Sequence, residues 1–378
     1  MTDIYPIHGY CAPGYEAVRD AFIDNFTREE EIGAGFCAMR DGVAVVDLYG
    51  GYADRKKTRN WERDTIVPVF SSTKAVAAIV IAHLADADKL SYNQKVASLW
   101  PDFAQNGKGD ITVGDVLSHQ AGLSGISDPS WQPIDWMDWD KTCAKLAAQA
   151  PIWPLGNVAG YHPVTYGYLV GEIAKRADGR SLGTILREDI CAPHDIDFHI
   201  GLPDSEHGRC ADLIKPRKPA DLGEINDATR LAFIEKWSSS VGSRSLEAWR
   251  RAEIPSTNGH GTAAGLARIM QILVDGKLGG EVYLSEDMLR DAKTVRVSGP
   301  NLVLPFDLQG CAGVFKNEPN FFYGPNPNTV GHSGWGGSCV FADAKEGLSA
   351  AYIMNRQSHH LMGDPRTLRL IEALYGCL

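Results

Sequence analysis

The sequence predicts an α/β fold in which both ends of the chain build one domain and a mainly helical region is inserted between them. Strand-like segments gather before residue 71 and return after residue 310, while the stretch between alternates helix-forming periodicity with polar loops. The chain has 378 residues and is 44% hydrophobic, enough to bury a core spread over more than one lobe. The expected division is 1–100 plus 300–378 for the α/β domain and 101–299 for the helical one. A cleft between two such parts is where a small-molecule site forms.

The elements follow in order. Residues 16–26 read as an amphipathic helix, followed by an acidic patch at 29–31. GAGFCAMRDGVAVVDLYGGYAD reads as a β-hairpin whose turn is Asp41-Gly42, with arms ending near Arg40 and running over 43–49. An extended piece over 65–70 leads into FSSTKA, and the alanine- and aliphatic-rich run over 72–86 has the composition of a buried helix. Further helices are predicted over 113–118, 139–149, 165–177, 182–190, 230–236 and 262–273. A tryptophan-rich loop, DPSWQPIDWMDWD, interrupts them. Strands return over 310–316, 337–342 and 348–354, and a last helix covers 365–374.

The formal charge of -10, with no Lys/Arg run, argues against a nucleic-acid partner. No window is long and apolar enough for a membrane span, since the most apolar run, 75–87, is short and contains His83. The opening MTDIYPIHGYCAPGYEAVRD lacks a basic region followed by an apolar core, and the eight cysteines form no C-x-x-C pair. Together these predict free thiols and a cytoplasmic location.

The chemistry concentrates at three places. A helix starting at Ser71 or Ser72 sets Lys74 on the same side as Ser71, one turn on. A serine hydroxyl needs a base, and an amine kept neutral by burial supplies one. S-x-x-K alone is a weak signal, yet it occurs once here, after a strand-like segment and before a helix too apolar to be a solvated face. In YHPVTYGYLVG, Tyr161 precedes a helix and is free to point into a cleft, whereas Tyr166 and Tyr168 lie within it and pack. Near a lysine, a tyrosine is expected partly or wholly as phenolate, able to take the Ser71 proton and return one to the leaving group. In GHSGWGG, glycines let the backbone approach a ligand, and the Ser71 and Trp335 N–H groups are the expected oxyanion-hole pair. His332, Ser333 and Gly334 are the expected substrate-binding residues of that segment, although a glycine-rich turn joining two strands reads alike.

These residues resemble the serine β-lactamase and penicillin-binding-protein superfamily, and among its members the class C β-lactamase-like proteins and family VIII carboxylesterases. Ser71-Ser72-Thr73-Lys74 matches the family's S-x-x-K; Tyr161-His162-Pro163 matches its tyrosine motif without the asparagine of true lactamases. His332-Ser333-Gly334 matches the K-T-G or H-T-G motif of an edge strand, and Trp335-Gly336-Gly337 matches the W-G-G of family VIII esterases in the same segment. ITVGDVLSHQAGL, NGHGTAAGLARIMQILVDGKLGG and GHSGWGGSCVFADAKEGLSAAYIMNR extend the likeness over about 15–375. The resemblance implies a β-lactamase-like fold, an antiparallel sheet flanked by helices with the helical domain inserted. It implies acyl transfer through an acyl-enzyme on Ser71, with Lys74 and Tyr161 as the acid/base pair, and no metal or other cofactor.

The missing asparagine and the histidine at 332 weaken a lactam reading, so the expected activity is carboxylic ester hydrolysis on a small-molecule ester or amide. β-Lactamase, D-amino-acid peptidase and acyltransferase activities are the alternatives, with a catalytically silent binding protein as the non-enzyme one. Trp131, Trp136 and Trp139 are candidates to line an apolar substrate pocket. His119 reads as a loop-bonding histidine, since no G-x-S-x-G elbow exists. His194, Asp195, Asp197 and His199 lack metal-site spacing.

Overall fold

A computed structural model describes residues 5–28, 30–235 and 246–378. The first four residues, Glu29 of the acidic patch and Lys236 of one predicted helix lie outside them.

The strand segments of both chain ends meet in one nine-stranded sheet, antiparallel throughout. Across the sheet the order is Ile7–Cys11, Val43–Gly51, Gly33–Arg40, Leu348–Met354, Cys339–Asp343, Val330–Ser333, Phe315–Lys316, Asp307–Gly310 and Val297–Pro300. The hairpin turn is the expected one, with Asp41 and Gly42 both at positive φ. The two ends of the chain join where Gly33–Arg40 pairs with Leu348–Met354, Ala38 opposite Ala350.

These two strands are buried on both faces, and alternate residues divide between two cores. Cys37, Met39, Val340, Ala351 and Ile353 face one core, which also receives the helix Ala263–Asp275 and the apolar helix Thr73–Asp86. Phe36, Ala38, Phe341, Ala350 and Tyr352 face the other, closed by helices Glu16–Thr27 and Pro365–Tyr375 through Phe22, Phe26 and Leu370. Ala263–Asp275 lies inside the segment 101–299 yet packs on the sheet, where Ser349 Oγ donates to Ala267 O at 2.8 Å.

Four sequence expectations change in detail. The predicted strand over 310–316 divides into Asp307–Gly310 and Phe315–Lys316, because Gly313 at φ 82° turns the chain between them. The extended piece over 65–70 contributes only Val67–Pro68, which pairs with His260–Gly261 in a small three-stranded sheet completed by Phe198–His199. The strand of the third motif is interior to the sheet rather than at its edge. Within that strand Phe315–Lys316 reaches only Gly331 and Val330, however, so among the described residues His332 and Ser333 have no strand neighbour on that side. The helix predicted over 182–190 is a short α-helix, Leu182–Ile185, followed by a wider turn, Leu186–Cys191. No helix among the described residues is long and apolar enough to cross a membrane.

The C-terminal helix is tied to the sheet by a buried arginine. Arg366 makes two hydrogen bonds to its neighbour Asp364 (3.0 and 2.8 Å), one to Glu31 Oε2 (3.2 Å), and one to the carbonyl of Gly336 (2.9 Å). Truncating it leaves the Asp364 carboxylate buried without its cation and the buried Glu31 without its donor, which costs about 3–5 kcal/mol. Arg366→Ala should therefore lower the unfolding free energy by about that amount in urea titration; a loss under about 1 kcal/mol would contradict the buried pairing.

Candidate active site

Ser71 stands at the point where an extended segment becomes a helix. After Val67–Pro68 the chain reverses at Phe70, whose φ of 46° is one that aromatic residues rarely adopt. A single 3-10 turn, Phe70–Ser72, then runs into the α-helix Thr73–Asp86. The kink places Ser71 at the helix mouth, half-buried, and Lys74 one turn further in, fully buried.

Lys74 Nζ lies 3.1 Å from Ser71 Oγ and donates to two backbone carbonyls, Pro163 O at 2.7 Å and Ser256 O at 3.0 Å. No carboxylate pairs with it among the described residues, and burial drives its pKa well below the ordinary lysine value. A neutral amine has two N–H donors and one lone pair. The two carbonyls take the donors, which leaves the lone pair for the Ser71 hydroxyl. Three contacts would also suit an ammonium, but an unpaired cation in this core is the costlier state.

The two carbonyls arrive from separate loops. Pro163 O belongs to the turn that leads into the helix Thr165–Asp178. Ser256 reaches Lys74 because Gly167, inside that helix, has no side chain; a Cβ there would lie 2.7 Å from Ser256 Oγ and 2.8 Å from Ser256 N. Ser256 Oγ donates to Val164 O at 2.7 Å and closes the contact.

Tyr161 lies just before the same helix. Asn301 Oδ1 holds its N–H at 3.0 Å while also accepting from Val303 and Leu304, so one side chain organises the loop. Lys74 Nζ sits 4.8 Å from the centre of the Tyr161 ring. Burial pushes the phenol's pKa up, opposed only by its hydrogen bond with Ser71. Burial thus favours the protonated phenol, whereas the sequence led to an expected phenolate. His119 packs beneath Tyr161 at 4.7 Å between ring centres, and its Nδ1 accepts from the His162 N–H at 3.2 Å. It bonds a loop as the sequence suggested, here the one that carries Tyr161, and it also forms the floor of the tyrosine's site.

The GHSGWGG segment crosses the mouth of the helix. An added Cβ on Gly334 would overlap Val69 O and Ser338 Oγ and stand 3.2 Å from Ser71 N, so the turn lies directly against the backbone of Ser71. Ser338 fastens it, its Oγ donating to Val69 O at 2.6 Å and lying 3.0 Å from Ser72 Oγ. The Trp335 N–H has no hydrogen-bond partner among the described residues. Ser333 is half-buried, with its hydroxyl 3.5 Å from Tyr323 OH.

The cavity over Ser71 offers about 30 Å³ of free room. Besides Ser71, Tyr161, His332 and Ser333, it is lined by Phe233, Leu304, Phe315, Trp335, Leu361 and Met362. The three tryptophans expected to line it do not. Trp131 and Trp136 pack edge to face in the core, and Trp139 donates to Glu172 Oε2 at 2.9 Å. Trp136 and Trp139 border a different cavity of about 240 Å³, and their indoles are taken up by packing on Tyr168. Asp197 is held by Arg209 and His199, and His194 Nε2 is 2.7 Å from Tyr283 OH.

A family model described as Beta-lactamase matches residues 19–374. The chain belongs to the beta-lactamase family. It is similar to a penicillin-binding protein homologue from Caulobacter crescentus, 52% identical, covering 99% of this chain and 100% of that one with a TM-score of 0.96. A family VIII carboxylesterase is 40% identical over 99% of this chain and 100% of its own, with a TM-score of 0.92. Esterase/beta-lactamase LipL of Mycobacterium tuberculosis (strain ATCC 25618 / H37Rv) is 33% identical over 93% of this chain and 83% of that protein. Within this family the chain is a serine hydrolase with esterases among its relatives.

The structure brings Ser71, Lys74, Tyr161 and His332 together as the sequence expected, and adds supports that the sequence did not mark. Pro163 O, Ser256 O, Asn301 and Ser338 carry no motif of their own. The apolar lining from Phe233, Leu304, Phe315, Leu361 and Met362 comes from four separated segments that only the fold assembles. If the turn must lie against Ser71, Gly334→Ala cannot be accommodated without displacing Val69 or Ser338. It should cost about 1–3 kcal/mol of stability and suppress labelling of Ser71 by a fluorophosphonate. Wild-type labelling rates in a Gly334→Ala protein would show that the close approach is dispensable.

Proposed function

We propose that the chain hydrolyses carboxylic esters with short acyl groups through a covalent acyl-enzyme on Ser71, in a cleft between the sheet and the helical part of the chain. The observation that carries this reading is the Lys74 amine, held by two carbonyls with its lone pair left for Ser71 Oγ at 3.1 Å. The family VIII carboxylesterase among the similar structures supports the choice of an ester.

In the first step the Ser71 proton passes to Lys74 Nζ as Oγ bonds to the ester carbonyl carbon. The carbonyl electrons move onto oxygen, where the N–H groups of Ser71 and Trp335 stabilise them. The carbon–oxygen bond to the alcohol then breaks, and the proton held by Lys74 is relayed through the Tyr161 hydroxyl to the leaving oxygen. Water adds to the acyl carbon, giving its proton to the same pair. Ser71 Oγ leaves with that proton restored, and the acid is released. The Lys74–Tyr161 pair acts as a unit, so its protons are properties of the pair.

The small cavity favours acetyl- to butyryl-sized acyl groups, and among the described residues its lining carries no charge to hold the carboxylate of a penicillin or cephalosporin. Steady-state hydrolysis of a p-nitrophenyl ester series, a chromogenic cephalosporin and a D-alanyl amide tests this directly. Acetate and butyrate esters should lead, with Ser71→Ala and Lys74→Ala each lowering kcat by about 10³-fold or more and Tyr161→Phe by about 10²–10⁴-fold. A dominant rate on the cephalosporin or the amide would replace the ester reading.

The pH dependence follows from Lys74. Protonation removes the base, so kcat/KM should fall as pH drops through an apparent pKa lying below the ordinary lysine value of 10.5. A pH–rate profile on p-nitrophenyl acetate measures it, and an acid limb centred at or above 10.5 would contradict a buried neutral amine.

A further inference from the structure

His332 lines the Ser71 cavity and is only 2% exposed. Its Nδ1 lies 2.8 Å from the carbonyl oxygen of Ser333. A carbonyl oxygen only accepts, so Nδ1 carries the ring's proton. No carboxylate acts on the ring among the described residues, and burial pushes its pKa down to about 3. Nε2 is therefore a bare lone pair, and it has no hydrogen-bond partner among the described residues.

A buried acceptor without a donor is costly, and its persistence beside a binding cavity calls for a ligand group that completes it. The position indicates which part of the substrate that is. His332 neighbours Tyr161, with 5.9 Å between ring centres, and Tyr161 delivers the proton to the leaving oxygen in the reaction proposed above. The ring thus flanks the alcohol portion of the ester. His332 and Ser333 also lie beyond the pairing of Phe315–Lys316, which leaves that end of the strand open.

We propose that His332 Nε2 accepts a hydrogen bond from a hydroxyl or N–H on the alcohol portion of the substrate. The preferred substrates are then monoesters of diols, or of alcohols carrying an amide or amine N–H. A carboxylate at the same place would meet a lone pair rather than a cation and is rejected. This rests on the ester-hydrolase reading of the site.

Three acetates of matched size separate the possibilities: 2-hydroxyethyl acetate, propyl acetate and carboxymethyl acetate, with acetate release as the readout. The wild type should favour the hydroxyethyl over the propyl ester by about tenfold in kcat/KM, with the carboxymethyl ester slowest. In His332→Leu the hydroxyethyl/propyl ratio should fall to about one, while His332→Gln, which keeps an acceptor, should hold it above one. Both rates are read on the same protein, so a loss of folded enzyme cancels from the ratio. A wild-type ratio near one, a ratio unchanged in His332→Leu, or a preference for the carboxymethyl ester would overturn the assignment. Labelling by a fluorophosphonate, lost in Ser71→Ala, reports the hydrolase reading separately. Labelling with a ratio near one refutes the role of His332 alone, whereas no labelling refutes the hydrolase reading and this inference with it.

Discussion

The site depends on a lysine amine placed in a dry core without a counter-ion. Lys74 emerges from a helix whose surroundings are almost wholly apolar, and burial there favours the uncharged form. The chain meets the remaining polar demand with backbone carbonyls from two loops rather than with a carboxylate. A carboxylate at that position would hold the amine protonated and remove its basicity. Two carbonyls fix the nitrogen's orientation while leaving its lone pair available. The neighbouring architecture serves this arrangement: Gly167 makes room for Ser256, and the loop before the helix Thr165–Asp178 supplies Pro163 O together with Tyr161.

A second constraint joins the two halves of the sheet to the helix mouth. The turn 334–338 is fastened from below by Ser338 on Val69 O and from behind by Arg366 on Gly336 O and Thr367 on Gly337 O. Arg366 in turn binds Glu31 and Asp364, so the backbone beside Ser71 is braced by residues from both chain termini. This gives a physical reason for the split origin of the sheet. The segment that crosses Ser71 is held between strands and a helix distant in sequence, and such long-range bracing resists local opening.

Much of the fold and the side chains of the candidate site was legible in the sequence because their signals are local. Asp41-Gly42 specifies a hairpin turn through two positive φ values, and the apolar run after Ser72 has no polar face to expose. Ser71 and Lys74 sit one helical turn apart, so their proximity follows from spacing alone. The supports of the site were not legible for an equally physical reason. Every residue has a carbonyl, so nothing in the letters marks Pro163 or Ser256 as the pair that Lys74 reaches. The tryptophans misled because large aromatic groups serve a core as well as a pocket, and Tyr168 and Gly171 offered Trp136 and Trp139 a packing surface elsewhere. The edge-strand expectation failed globally and held locally, since pairing with Phe315–Lys316 stops one residue short of His332.

The titratable groups around Ser71 share one tendency. Burial pushes Lys74, His119 and His332 down and Tyr161 up, each toward its uncharged form. In the proposed reaction, with no ionic group lining the cavity among the described residues, the oxyanion formed on attack is the charge that the surroundings must stabilise, and oriented dipoles are the means available. The Trp335 N–H, left without a partner in a braced turn, suits that task because it needs no reorganisation when the charge appears. The same neutrality works against substrates that bring their own charge. An anionic group entering this cavity would lose its hydration and find no cation among the described lining residues, a penalty incurred before any chemistry begins. A neutral ester meets no such barrier, and selectivity can then rest on individual hydrogen bonds such as the one His332 is placed to accept.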